Sequence, residues 1–192
     1  MKTISGALSF ILAGGMIVQS GTLTGKVNGG RGAAVVYVDA IAGKTFPAPA
    51  KHIVMDQKWL LFQPHVVVIQ TGATLDFLNS DDVSHNVFWP SISGDKKRSH
   101  NMGSWPKGEI RSFKFDTPGI APLFCTFHQE MSGFVVVVPT PYYAEADASG
   151  AYKIDNVPDG KYTVTAWREG TKTQSKSVVL SGTATTDFAL SK

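Results

Sequence analysis

Pro122-Leu123-Phe124-Cys125-Thr126-Phe127-His128-Gln129-Glu130-Met131-Ser132-Gly133-Phe134-Val135-Val136-Val137-Val138 joins a short loop to a continuous apolar run. The run of four valines, bounded by Gly133 and Pro139, predicts a strand deep in a core. Working outward, residues 35–38, 65–70, 74–79, 109–115, 161–167 and 175–180 also read as strands. They are short and rich in Val, Thr, Phe and Tyr, and Gly, Pro, Asn or Asp bounds most of them. Residues 74–77 and 112–115 alternate polar with apolar, as one-sided strands do. No long stretch carries a helical period, so the expected fold class is all-β, a sandwich.

The loop before the valine run places a thiol, an imidazole and a thioether at successive intervals of three residues: Cys125, His128 and Met131. Singly, a Cys or a Met is more often a core residue than a ligand. Together, on a connection short enough to wrap around one ion, they predict a metal site that needs a fourth donor from elsewhere. Four histidines lie outside the loop. His52 follows Lys51, His65 follows Pro64, and His100 sits in the polar 96–99 segment, whereas His85 opens the largely apolar strand His85-Asn86-Val87-Phe88-Trp89. His85 is the expected fourth ligand.

Soft sulfur donors combined with imidazole select copper or zinc over magnesium or calcium, and two His, one Cys and a weak Met suit copper cycling between Cu(I) and Cu(II). With four protein ligands no position is left for a substrate, so an enzyme is not expected. The His-x-His pairs of a multinuclear copper oxidase are missing from the sequence as well.

Gly72-Ala73-Thr74-Leu75-Asp76-Phe77-Leu78-Asn79, then His85-Asn86-Val87, then Cys125-x-x-His128-x-x-Met131 resemble the cupredoxins, the blue type 1 copper proteins, with a ligand loop of amicyanin or plastocyanin type. The resemblance covers about half the chain and implies a Greek-key β-sandwich. It implies that His85, Cys125 and His128 are the strong ligands and Met131 the axial one. It also implies that Asn86 bonds across to the loop and holds it closed. Phe127 departs from amicyanin-type loops, which have proline there. A second resemblance lies in the tail, where the turns Asp147–Gly150 and Pro158-Asp159-Gly160 punctuate short strands as in carboxypeptidase-regulatory or transthyretin-like β-sandwich modules.

The expected organisation is a copper domain over residues 46–140, inserted into a second small sandwich made by residues 21–45 and 141–192. The alternative is one larger sandwich. Residues 1–20 read as a signal peptide: Lys2, an apolar stretch to Val18, then small residues, with cleavage expected after Ser20. An exported, periplasmic chain with one cysteine and no disulfide gives that thiol a reason to exist if it binds metal. The formal charge of +3, with basic residues scattered, points away from nucleic acid. The function implied is single-electron transfer between redox protein partners. Phe127 and Trp89, with Met102 and Trp105, are expected to offer the apolar docking surface, although Trp89 and Trp105 read equally well as core aromatics. Copper storage or delivery is the alternative, and a structural β-sandwich with incidental zinc a third.

Overall fold

The computed structural model describes residues 19–192; the leader expected over residues 1–20 lies outside the described residues except for its last two. The chain begins with β1 (Ser20–Asn28) and β2 (Ala34–Val38). Its middle supplies β3 (Ile53–Lys58), β4 (Leu61–Gln63), β5 (Val66–Gln70), β6 (Thr74–Asn79), β7 (His85–Trp89), β8 (His100–Trp105), β9 (Ile110–Lys114), β10 (Gly119–Phe124) and β11 (Ser132–Val138). The tail supplies β12 (Tyr143–Glu145), β13 (Ala151–Pro158), β14 (Gly160–Arg168), β15 (Gln174–Leu180), β16 (Thr183–Thr185) and β17 (Phe188–Ala189). Among the described residues a single 3-10 turn, Lys96–Arg98, interrupts the strands, and its basic side chains are exposed.

These strands build four stacked sheets. The outermost, β4-β3-β6-β9, faces β5-β11-β10-β7-β8, which backs onto β12-β2-β14-β15, which faces β13-β1-β16 with β17 also on β1. The burial of alternate residues follows from the two-residue period of a strand. In β6, Leu75, Phe77 and Asn79 point inward and are fully buried, whereas Thr74, Asp76 and Leu78 are partly exposed.

The valine run has a sharper explanation than depth alone. Val135 and Val137 enter the core shared with Phe77, Leu75 and Trp105. Val136 and Val138 point the other way, into a cluster with Val35, Val66, Val68 and Trp167. Both faces of β11 are therefore covered, one by the central stretch and one by strands from the chain ends, and a polar residue has no face left to occupy. The outer two cores are composed separately: one from residues 55–137, the other from residues 23–38 and 152–190. The fold is all-β: a sandwich of the central stretch carrying a second small β-sandwich built by the terminal segments.

Candidate metal centre

Strand register brings distant residues together at one end of the second sheet. Strands β10 and β11 form an antiparallel hairpin in which Phe124 pairs with Ser132, so residues 125–131 make the connecting loop. Phe124 also pairs with Phe88 of the antiparallel neighbour β7. His85, three residues before Phe88, consequently lies beyond the end of β10, at the level of the loop. The loop is closed by backbone bonds from Met131 N–H to His128 O (3.0 Å) and from Cys125 N–H to Met131 O (3.3 Å).

His85, Cys125 and His128 form the one group of three potential metal donors among the described residues. The separations are 3.1 Å between the two histidine Nδ1 atoms, 3.7 Å from Cys125 Sγ to His128 Nδ1 and 4.0 Å from Cys125 Sγ to His85 Nδ1. A circle through three points so spaced has a radius of about 2.1 Å, against metal bonds of about 2.0–2.1 Å to imidazole and about 2.3 Å to thiolate. One ion could therefore lie within about bonding distance of all three donors at once. The donor set fits copper.

The surroundings fix these side chains. His85 is wholly buried, and its Nε2 lies 2.9 Å from Asp81 Oδ2. With the Nε2 proton directed to a carboxylate, Nδ1 carries the lone pair and faces the cluster. Asp81 also accepts from Trp59 N–H (2.7 Å, Oδ1) and Leu60 N–H (2.9 Å, Oδ2). Partial burial acts to raise the Asp81 pKa, but the bonds from Leu60, His85 and Trp59 outweigh it and hold the carboxyl below its ordinary range. Trp59 and Leu60 form the two-residue turn of the β3/β4 hairpin, both at φ 58°. That left-handed conformation disfavours bulky residues. Asp81, gripping both amides, offsets the strain. The Asp81 backbone is in turn held by fully buried Asn79, whose Oδ1 accepts from Asp81 N–H and whose Nδ2 donates to Val83 O and Trp105 O.

Asn86 stands where the sequence reading expects a latch. Its Oδ1 accepts from Thr126 N–H (2.7 Å) and Thr126 Oγ1 (3.0 Å), and its Nδ2 donates to Asn101 Oδ1. Asn86→Ala strips the Thr126 amide of its partner, and we expect a loss of about 1–3 kcal/mol of stability. Urea unfolding of the metal-free protein measures it.

Met131 is fully buried beside Cys125 in the same core. Of the residues expected to form a docking surface, Phe127 is 58% exposed, whereas Trp89 is not available: it is 1% exposed, packs against Phe113 and Phe115, and donates its indole N–H to Arg98 O. Its place on an inward-facing position of β7 explains the difference. Trp105 is buried as well. The other histidines are engaged elsewhere: His52 with Asp76, His65 with Glu169 and Ser132 O, and His100 against Trp89 and Phe113. Asp81 and Asn79 are the supporting residues that the sequence reading did not single out. An aspartate four positions before the candidate histidine was the available signal.

Residues 50–138 match the profile of copper binding proteins of the plastocyanin/azurin family. A plastocyanin from Scenedesmus fuscus is 34% identical over 89 residues, which cover 43% of this chain and 91% of that protein. The chain belongs to the plastocyanin/azurin family of copper-binding proteins. Residues 128–191 match a carboxypeptidase regulatory-like domain, overlapping the first match at residues 128–138. Among solved structures, a reduced amicyanin variant aligns at 23% identity and TM-score 0.42, covering 47% of this chain and 85% of its own. A purple cupredoxin from Nitrosopumilus maritimus aligns at 22% and TM-score 0.40, covering 44% and 98%. Family membership makes copper the cofactor, and the His-Cys-His cluster is a group that could bind one such ion.

Proposed function

We propose that His85, Cys125 and His128 hold one copper ion, with Met131 as a weak fourth donor, and that the chain is an exported, non-catalytic carrier of single electrons between redox protein partners. The convergence of three donors on a circle of metal-bond radius carries this reading. A bound copper supplies one-electron exchange between Cu(I) and Cu(II). The protein's part is to keep the donors still: His85 is anchored through Asp81, and the loop through Asn86. Donors held in place by two packed sheets do not rearrange when the charge of the ion changes, and little movement means a low barrier to electron exchange. Fully buried Met131 and His85 keep water from the inner side, whereas the partly exposed His128 offers the route to the surface.

Titrating the metal-free protein with Cu(II) tests the proposal. An intense visible band with a matching electron-spin-resonance signal, both lost and regained on reduction and oxidation, is expected. A colourless protein that takes up only Cu(I) and passes it on would favour copper delivery instead.

The docking role falls on Phe127, next to His128 and exposed. Electron self-exchange between oxidised and reduced copies brings two such surfaces together. Phe127→Asp places like charges against each other there, and we expect self-exchange to slow by about tenfold or more, with the visible band unchanged. Nuclear magnetic resonance line broadening in mixed-oxidation samples reads the rate.

The copper unit is inserted, on this proposal, into a module whose two halves are residues 21–45 and 141–192. The separate composition of the two outer cores supports it. Limited proteolysis should leave a folded, copper-free product of the two ends; cooperative loss of everything would overturn the insertion.

A further inference from the structure

The structure contains a buried cation that nothing described neutralises. Arg168, the last residue of β14, is 7% exposed, yet among the described residues no carboxylate pairs with it. Its Nη1 donates to Gly29 O, and its Nε is buried without any partner. A guanidinium taken out of water is costly unless its charge is paired and its fork of donors is used. Here most of the fork is idle.

The side chain lines a cleft of about 580 Å³, walled by residues 27–33 on one side and 146–150 on the other. The first wall is Asn28-Gly29-Gly30-Arg31-Gly32. Gly29 and Gly30 have φ of 84° and 74°, and a Cβ on Gly30 would meet Arg168 Cδ at 2.9 Å. The loop can lie against the guanidinium stem only because that residue is glycine. None of the backbone N–H groups of residues 29–32 donates to another described group. Arg31 adds a second positive charge at the rim. The opposite wall carries Asp147, whose Oδ1 is already committed to Ser149 N–H, Ser149 Oγ and Ala151 N–H. The charged side chains lining the cleft are thus two arginines against one aspartate turned into its own turn.

From this we infer that the Arg168 cleft binds an oxyanion group, a carboxylate or phosphate, on the guanidinium fork of Arg168 and the free amides of the Gly29–Gly32 loop. Arginine matches either group through paired N–H donors, and glycine-rich backbone allows the close approach. The cleft is built by terminal-segment strands and lies outside the metal centre, so the inference stands apart from the copper reading.

The test is amide and arginine Nε nuclear magnetic resonance on the whole protein, titrated separately with inorganic phosphate and with acetate at constant ionic strength, using chloride as reference. Saturable shifts confined to residues 29–32 and the Arg168 Nε–H are expected. Saturation by phosphate alone assigns a phosphate-bearing ligand, by acetate alone a carboxylate, and by both a general oxyanion site. Arg168→Gln should abolish the shifts, Arg168→Lys should weaken binding at least tenfold because an ammonium lacks the fork, and Arg31→Gln should weaken it less. Absence of saturable shifts with either anion, or equal shifts in Arg168→Gln, overturns the inference. Should Arg168→Gln fail to fold, the wild-type titration and Arg31→Gln still decide it.

Discussion

Replacing Cys125 with serine is expected to abolish the intense visible absorption of the copper-loaded protein while leaving the metal-free chain folded. The band requires charge transfer from a thiolate, and a hydroxyl is a harder donor that stays protonated. Copper affinity should fall by more than the 10- to 100-fold that losing a supporting contact costs, roughly, because an equatorial donor is removed outright. The fold has less reason to change. Cys125 is 4% exposed, with imidazole nitrogens 3.7 and 4.0 Å from its sulfur, so a small side-chain shift brings one of them within reach of a serine hydroxyl. With that partner the buried hydroxyl costs on the order of 1 kcal/mol. Spectra of the copper-loaded variant and urea unfolding of the metal-free form check the two halves separately. Colour that survives in Cys125→Ser would sink the assignment of the thiolate.

The sequence made the loop legible because its three ligand types sit within seven residues, so spacing alone brings them together. Strands over residues 74–79 and 175–180 were legible for a similar local reason, their composition and bounding turns. What could not be read was anything fixed by a distant partner. The turn Trp59-Leu60 carries none of the Asn-Gly chemistry that marks a two-residue hairpin. It forms because the Asp81 carboxylate, about twenty residues away, accepts both of its amides. Trp89 shows the same limit from the other side: an aromatic near a ligand reads equally as core or as docking surface until the register of β7 turns it inward. The two-sided burial of the valine run likewise depends on Trp167 and Val35, which lie outside the central stretch altogether.

That distant partner is also where the largest effect outside the ligands should lie. Asp81→Ala removes one carboxylate and leaves three donors without acceptors: Trp59 N–H, Leu60 N–H and the Nε2–H of fully buried His85. Of the three only the His85 N–H is buried, and leaving it unpaired costs about 1–3 kcal/mol; water reaches the exposed Trp59 and Leu60 turn, but the hairpin loses what offsets its left-handed residues. Freed from Asp81, the His85 ring can also shift its proton to Nδ1, the nitrogen that must face the metal. We expect copper affinity to fall by about 10- to 100-fold and the Trp59 and Leu60 amides to exchange with solvent much faster. Asp81→Asn should fall between. Its single carbonyl oxygen can take the place of Oδ2, which serves both Leu60 and His85, but its amide nitrogen then faces Trp59 N–H donor to donor. The graded order, wild type above Asn above Ala, separates an anchoring carboxylate from mere loss of charge, which would make the two variants alike. Copper titration with competing chelator gives the affinities, and hydrogen exchange at Trp59 distinguishes the hairpin effect from the ring effect.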